Sequence, residues 1–167
     1  MMSSGFDFSG KVAVVVGASS GLGADAARAY AEHGADVALL ARRLERLEAL
    51  KTEIEAAGRR AVAVRCDVTD EDSCRAAVEA VIDAYGRIDI LLNNAGVAVR
   101  GGVDTLTDAD WDRSFDTNVK GIFHVSKYVV PRMRERGYGK IVNIASVNAI
   151  IADKQDVFIR HAYNASK

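Results

Sequence analysis

The sequence predicts an α/β fold in which a parallel sheet lies between two layers of helices. Segments typical of strands alternate with segments typical of helices along the whole chain. The strand-like segments are short and almost entirely apolar, as expected for a sheet that is covered on both faces. Three of the helical segments end at a glycine. Parallel neighbours need right-handed crossovers, so helices should cover both faces of the sheet.

Nine elements follow from these patterns. Strands are expected at residues 11–16, 36–41, 61–66, 88–92 and 140–145. Helices are expected at residues 24–33, 44–57, 70–85 and 107–136, the last with a break near Asn118. The chain contains one proline and no internal repeat, linker or low-complexity stretch. Residues 1–167 are therefore expected to form a single domain.

The composition indicates which partners and which cellular location to expect. Hydrophobic residues make up 49% of the chain, charged residues 27%, and the net charge is -1, so neither nucleic acid nor an anionic membrane is an expected partner. The chain has no apolar run of the ~20 residues that span a bilayer and no signal-peptide pattern, which predicts a cytoplasmic protein. Cys66 and Cys74 fit no metal or redox motif and are expected to be reduced. No metal site is expected.

A glycine-rich turn connects the first strand to the first helix. Its candidate binding residues are Gly17, Ser19, Ser20, Gly21, Leu22 and Gly23. Glycines let the backbone approach a ligand closely, and the N-terminus of the following helix favours an anion. The turn therefore predicts binding of a dinucleotide, although packing of the helix against the strand is an alternative role.

Tyr163 and Lys167 are four residues apart and so share one face of a helix. An ammonium beside a tyrosine stabilises the phenolate, which suits the pair to proton exchange. Joined to the Gly-x-x-x-Gly-x-Gly spacing of residues 17–23, this pair resembles the short-chain dehydrogenase/reductase family. Further segments similar to that family are residues 66–68, residues 93–96, Asn118 and Ser146.

The resemblance covers most of the chain and implies a Rossmann-type fold with three α/β/α layers. It also implies hydride transfer between NAD(P) and a secondary alcohol or ketone. The family fold continues beyond the Tyr-Lys pair with further strands and helices. We therefore expect residues 1–167 to represent its first part, and a cofactor-binding fragment with little turnover is the alternative function.

The resemblance assigns cofactor contacts after the third and fourth strands. Asp67 would accept a hydrogen bond from the adenine amine, and Val68 would contact the adenine ring. The alternative for Asp67 is a turn residue beside Thr69. Asn94, Ala95 and Gly96 would border the cofactor, although they could also form a plain turn.

Cofactor preference is expected from the end of the second strand. An acidic residue there would bind the ribose 2'-hydroxyl of NAD, but Ala41 is followed by Arg42 and Arg43. The one acid within that strand, Asp36, lies at its start. Arginine suits phosphate, so NADP(H) is favoured and NAD(H) remains possible, with Arg42 the stronger candidate. Alternatively, both arginines are solvated.

In the family, Tyr163 would act as acid and base at the substrate oxygen, and Lys167 would bind the nicotinamide ribose. Ser146 would donate to the same oxygen, or only cap a turn. Asn118 would distort its helix and hold a water, or only face solvent. The resemblance implies that Tyr163 and Lys167 also contact the cofactor.

Ser146 and Tyr163 are 17 residues apart, a longer spacing than is usual in the family. The added loop is expected to overhang the substrate, with Asn148, Ile151, Arg160 and His161 as candidate contacts. His33 and His124 are expected to be structural and away from the site. A homodimer or homotetramer is expected, formed through residues 107–136 and the helix that begins at Tyr163.

Overall fold

Five short strands form one parallel sheet in the computed structural model, which describes residues 5–151 and 159–167. The strands are β1 (Val12–Val16), β2 (Asp36–Ala41), β3 (Ala61–Arg65), β4 (Ile90–Asn93) and β5 (Lys140–Asn143). Their order in the sheet is β3-β2-β1-β4-β5. The chain therefore winds outward from β1 in one direction and then from β4 in the other, which confirms the predicted Rossmann-type topology.

Helices connect successive strands. They are α1 (Gly21–Glu32), α2 (Leu44–Ala56), α3 (Glu71–Tyr85), α4 (Asp108–Phe115), α5 (Gly121–Glu135) and α6 (His161–Ser166). A π-helical turn at Asp116–Lys120 joins α4 to α5, so the predicted interruption lies at Asn118. A short 3-10 turn occupies Val147–Ala149. Among the described residues no helix is long and apolar enough to cross a membrane.

Alternate side chains of β1 point into two apolar layers. Val14 and Val16 pack with residues of α3 and α5 on one face, including Val78 and Val125. Val15 packs on the other face with residues of α1 and α2. Every residue of β1 is buried, because both layers and both neighbouring strands cover it. This explains why the strand is a continuous β-branched run rather than an alternating one.

The strand register brings the carboxyl ends of the central strands level. Val16 at the end of β1 lies opposite Leu40 of β2 and Asn93 of β4. The loops that follow these three strands therefore emerge side by side at one edge of the sheet. Ligands of open parallel sheets bind at such an edge, where the strand order reverses.

The opposite edge is held by a buried carboxylate. Asp89 is 0% exposed and accepts hydrogen bonds from the Val12 amide (2.9 Å) and from Nε and Nη2 of Arg87 (2.8 and 2.7 Å). Arg136 adds a longer contact of 3.3 Å. Burial raises the pKa of Asp89, but the hydrogen bonds and the charges of the arginines outweigh it, so the pKa lies below its ordinary value.

Replacing Asp89 by alanine should lower the free energy of unfolding by roughly 2–4 kcal/mol, because two arginines and an amide lose their buried partner. The ionised carboxylate stabilises the fold above its unfolded pKa of about 4, and this contribution is lost as pH falls through the lower native pKa. Urea unfolding at neutral and acidic pH measures both effects. Asp25→Ala, which removes an exposed ion pair with Arg28, is the control and should change stability much less. Equal losses in both variants would contradict the assigned role.

Candidate active site

A cavity of about 370 Å³ opens at the carboxyl edge of the sheet. Its walls come from the segments that follow β1, β2, β3 and β4, and from the π-helical turn. It thus lies where the strand order reverses. The predicted site residues that line it are Gly17, Ser19, Ser20, Arg42, Arg43, Asp67, Val68, Asn94, Ala95 and Gly96.

The glycine turn is shaped by close backbone packing. Gly17 has a φ of 82°, and a Cβ on it would lie 2.9 Å from the Ala95 backbone. A Cβ on Gly23 would meet the carbonyl oxygen of Gly17 and, at 2.6 Å, Nδ2 of Asn94. Only glycine therefore lets α1 begin so close to β1 and β4.

The amino end of α1 faces this turn. Ser20 is its N-cap residue, but the Ser20 hydroxyl makes no capping hydrogen bond. The amides of the first turn are therefore left for an anion. Three predicted residues of this turn do not line the cavity: Gly21, Leu22, which is 72% exposed, and Gly23, which shapes the turn by its close packing.

Arg43 reaches back over the glycine turn. Its guanidinium donates to the Ser19 hydroxyl (2.9 and 3.2 Å) and to the Ser20 hydroxyl (2.8 Å). In the described part of the chain Arg42 makes no such bond, and it lines the cavity beside Ala41. Two guanidinium groups therefore flank the end of β2, where an acidic residue is absent.

Asp67, in the segment after β3, shows the turn role considered for it and also lines the cavity. Its Oδ1 accepts from the amide (3.1 Å) and hydroxyl (2.8 Å) of Thr69, which is the turn role. Those bonds use one carboxylate oxygen, and the residue still lines the cavity. Val68 is buried, and its side chain packs against Gly121, where a Cβ would lie 2.8 Å from Cγ2.

Gly96 is the point at which the cavity meets the predicted catalytic residues. A Cβ on Gly96 would lie 3.2 Å from both Oδ1 of Asn118 and Nζ of Lys167. Nearby, Nδ2 of Asn94 donates to the carbonyl of Gly17 at 3.3 Å. The loop after β4 therefore connects the glycine turn, through Asn94, to the predicted catalytic residues, through Gly96, where there is no room for a side chain.

Asn118 is buried, with 2% of its surface exposed, which excludes the solvent-facing alternative. Its Oδ1 accepts from the Val97 amide at 2.8 Å, and its Nδ2 donates to the Val97 carbonyl (2.9 Å) and the Ser166 hydroxyl (2.8 Å). One side chain thus ties together the π-helical turn, the loop after β4 and α6. The expected distortion of the helix is present at this residue.

Tyr163 lies on α6, Lys167 directly follows the last residue of that helix, and both are partly buried. Lys167 Nζ donates to the carbonyl of Ile144 at 2.8 Å and lies 6.0 Å from the centre of the Tyr163 ring. The guanidinium of Arg160 lies 5.6 Å from the same ring centre. Two cationic groups therefore lie beside the Tyr163 ring.

Ser146 precedes the 3-10 turn and shows the turn role considered for it. Its Oγ accepts from the Asn148 amide at 3.2 Å and contacts Oδ1 of the same residue at 3.3 Å. Ile151 is exposed, as is His161, whose amide donates to the Gly101 carbonyl at 3.3 Å. The middle of the predicted substrate loop, residues 152–158, lies outside the described residues.

One prediction about the histidines is wrong. His33 contacts the carbonyl of Ala29 within its own helix, as expected for a structural residue. His124, however, does not lie away from the site: its Nδ1 is 2.9 Å from the carbonyl oxygen of Val68, which lines the cavity. Sequence reasoning placed His124 on a helix but could not show which face of that helix meets the segment after β3.

Several contributing residues escaped the sequence analysis. Val97 holds Asn118, Ser166 links Asn118 to α6, and Thr69 and Thr117 line the cavity. Only Val97, directly after the Asn-Asn-Ala-Gly segment, carried a signal that could have found it. Within the described residues, no group of three or more His, Cys, Asp or Glu side chains could hold a metal ion.

Comparison with known proteins decides the family. A family model described as short chain dehydrogenase matches residues 11–167. The chain belongs to this family. It is 44% identical over 164 residues to D-threitol dehydrogenase of Mycolicibacterium smegmatis, covering 97% of the chain and 62% of that protein. It is 42% identical over 147 residues to gluconate 5-dehydrogenase of Gluconobacter oxydans, covering 88% of the chain and 57% of that protein.

Solved structures of short-chain dehydrogenases share the fold. A Mycobacterium marinum member gives a TM-score of 0.92 at 36% identity, covering 97% of this chain and 63% of that one. A metagenomic member in complex with NADP gives 0.88 at 40% identity, covering 96% and 71%. A Burkholderia phymatum member in complex with NAD gives 0.89 at 33% identity, covering 96% and 56%.

Replacing Asn118 by alanine should lower the free energy of unfolding by about 2–4 kcal/mol, since three buried hydrogen bonds are lost together. Urea unfolding followed by circular dichroism measures this. Ser114→Ala is the control, because it removes a single buried bond, to the Asp110 carbonyl, in the helix just before. An Asn118→Ala protein as stable as Ser114→Ala would show that the asparagine does not tie these elements together.

Proposed function

We propose that this protein is an NAD(P)-dependent oxidoreductase that acts on a secondary alcohol or ketone. The observation that carries this proposal is the meeting of the cofactor cavity and the catalytic residues at Gly96. There the backbone that borders the cavity lies against Asn118 and Lys167, and Tyr163 lies on α6, the short helix that ends just before Lys167. Family membership supports the same reaction class.

The residues of the cavity fit an extended dinucleotide. The turn at Gly17 leaves room for a diphosphate at the amino end of α1, where amides and the helix dipole favour negative charge. Asp67 and Val68 would hold the adenine, while Asn94, Ala95 and Gly96 would border the nicotinamide half. When bound, the nicotinamide supplies or accepts the hydride.

The side chains around α6 would handle the proton. In oxidation, the Tyr163 phenolate takes the proton of the substrate hydroxyl while the hydride leaves the carbinol carbon; in reduction both move in reverse. In this proposal Lys167 places its positive charge beside Tyr163 and also binds the nicotinamide ribose. Ser146, once its bond to Asn148 exchanges for one to substrate, donates to the same oxygen.

The cofactor is NADP(H) in this proposal, with NAD(H) as the weaker ligand. Arg43 is already held by Ser19 and Ser20, so it shapes the wall of the cavity. Arg42 has no such partner in the described chain and is therefore the group that would bind a 2'-phosphate. Ala41, where an acidic residue would repel that phosphate, removes the main obstacle.

Arg42→Ala should raise the dissociation constant of NADPH roughly 10- to 100-fold, because one charge-assisted contact to phosphate is lost. The dissociation constant of NADH should stay within about twofold, since NADH lacks that phosphate. Calorimetric titration of both cofactors measures the ratio. Arg46→Ala, which removes the same charge one turn along α2, is the control. Equal binding of NADH and NADPH by the parent protein would overturn the preference.

Tyr163→Phe removes one hydroxyl and should lower turnover by about 10²- to 10⁴-fold while leaving cofactor affinity almost unchanged. The assay follows NADPH oxidation over a panel of ketones by protein of verified intact mass. The panel should include ketoses and keto sugar acids, since the relatives are named for D-threitol and gluconate. Tyr138→Phe is the control. Cofactor binding without turnover on any substrate would instead favour a cofactor-binding fragment.

The proposed partners are a small alcohol or ketone and a second copy of the chain. Trp111, Val119 and Phe123 are exposed apolar side chains at four- or eight-residue intervals along α4, the π-helical turn and α5. This surface supports assembly into a homodimer or homotetramer through those helices. The proposed location is the cytoplasm. Light scattering of the purified protein tests the oligomeric state.

A further inference from the structure

His124 bonds to the segment that would hold the adenine, and neither the family motifs nor the proposed mechanism uses it. The side chain is only 4% exposed and comes from the second turn of α5. Its Nδ1 lies 2.9 Å from the carbonyl oxygen of Val68. A carbonyl can only accept, so this nitrogen carries a hydrogen and donates it.

The rest of the segment is held mainly from its own residues and from α3. The Asp67 amide donates to the Ser73 hydroxyl at 3.0 Å, and the Asp67 carbonyl accepts from the Asp70 amide at 3.1 Å. The bond to His124 is different, because it comes from α5, the helix that packs beside α3 on the same face of the sheet. It fixes the peptide that follows Val68 relative to α5 rather than to its own strand.

Two further features tie Val68 to α5. Gly121 lies one turn before His124, and its missing side chain lets Val68 pack directly against α5. The π-helical turn that contains Asn118 ends where α5 begins, so Val68 and Asn118 are both held by one continuous helical region. A buried donor that loses its acceptor costs free energy, which keeps His124 and Val68 paired.

We propose that His124 is a positioning residue that holds Val68 in the conformation that receives the adenine of the cofactor. The proposal rests on the proposed function, because it assumes that the segment after β3 is the adenine site. His124 does not touch the cofactor. It acts through the Val68 carbonyl, and it links the adenine half of the site to the helical region that contains Asn118.

Two variants of the whole protein test this. His124→Leu replaces the imidazole by an apolar side chain of similar size and so removes the donor. Val68 should then occupy its binding conformation less often. A tenfold drop in that population would raise the dissociation constants of NADPH and of adenosine 2',5'-bisphosphate about tenfold. The affinity for reduced nicotinamide mononucleotide, which lacks the adenosine, should stay within about twofold. His124→Asn places an amide donor near the position of Nδ1 and should restore most of the affinity.

His33→Leu is the matched control, because it also removes a bond from Nδ1 to a carbonyl, but far from the cavity. Thermal unfolding verifies that each variant is folded. The proposal is overturned if His124→Leu binds NADPH like the parent, if His124→Asn is as weak as His124→Leu, or if the mononucleotide loses affinity equally. A parent protein that binds neither NADPH nor NADH would instead overturn the proposed function, and this inference with it.

Discussion

The glycine turn, the start of α1 and the loop after β4 meet at the carboxyl ends of β1 and β4 with no room for a Cβ at Gly17 or Gly23. Gly17 lies against the Ala95 backbone, and Gly23 lies against the Gly17 carbonyl and the Asn94 side chain. This contact brings the amino end of α1 down to the point where the strand order reverses, beside the cavity. The shape of the site therefore depends on the absence of Cβ atoms at a few positions.

A second constraint extends the site from this contact to α6. The Asn118 side chain bonds to both backbone groups of Val97, as a neighbouring strand would. Its Oδ1 accepts from the Val97 amide and its Nδ2 donates to the Val97 carbonyl. Its third bond reaches Ser166 and so orients α6, which contains Tyr163 and ends just before Lys167. The wider π-helical turn places the amide where all three bonds form, which gives a physical reason for the interruption of a long helix.

The sequence predicted the fold and most of the residues that line the cavity because both depend on local signals. Apolar runs and helix-ending glycines located the elements, and the ends differ by up to three residues, as at α1, which begins at Gly21 rather than Ala24. For Asp67 and Ser146 the structure shows the turn role, and for Asp67 it also shows a place in the cavity wall.

The amino-acid sequence by itself determined the order of strands and helices, the glycine turn and the spacing of the Tyr-Lys pair, because these depend on neighbours within a few positions. Only the tertiary structure decided which side chains meet across elements. Arg43 reaches Ser19 and Ser20, His124 reaches Val68, and the buried thiols of Cys66 and Cys74 lie 4.0 Å apart. Such pairs depend on which face of each helix packs against which strand end, and no local pattern encodes that choice.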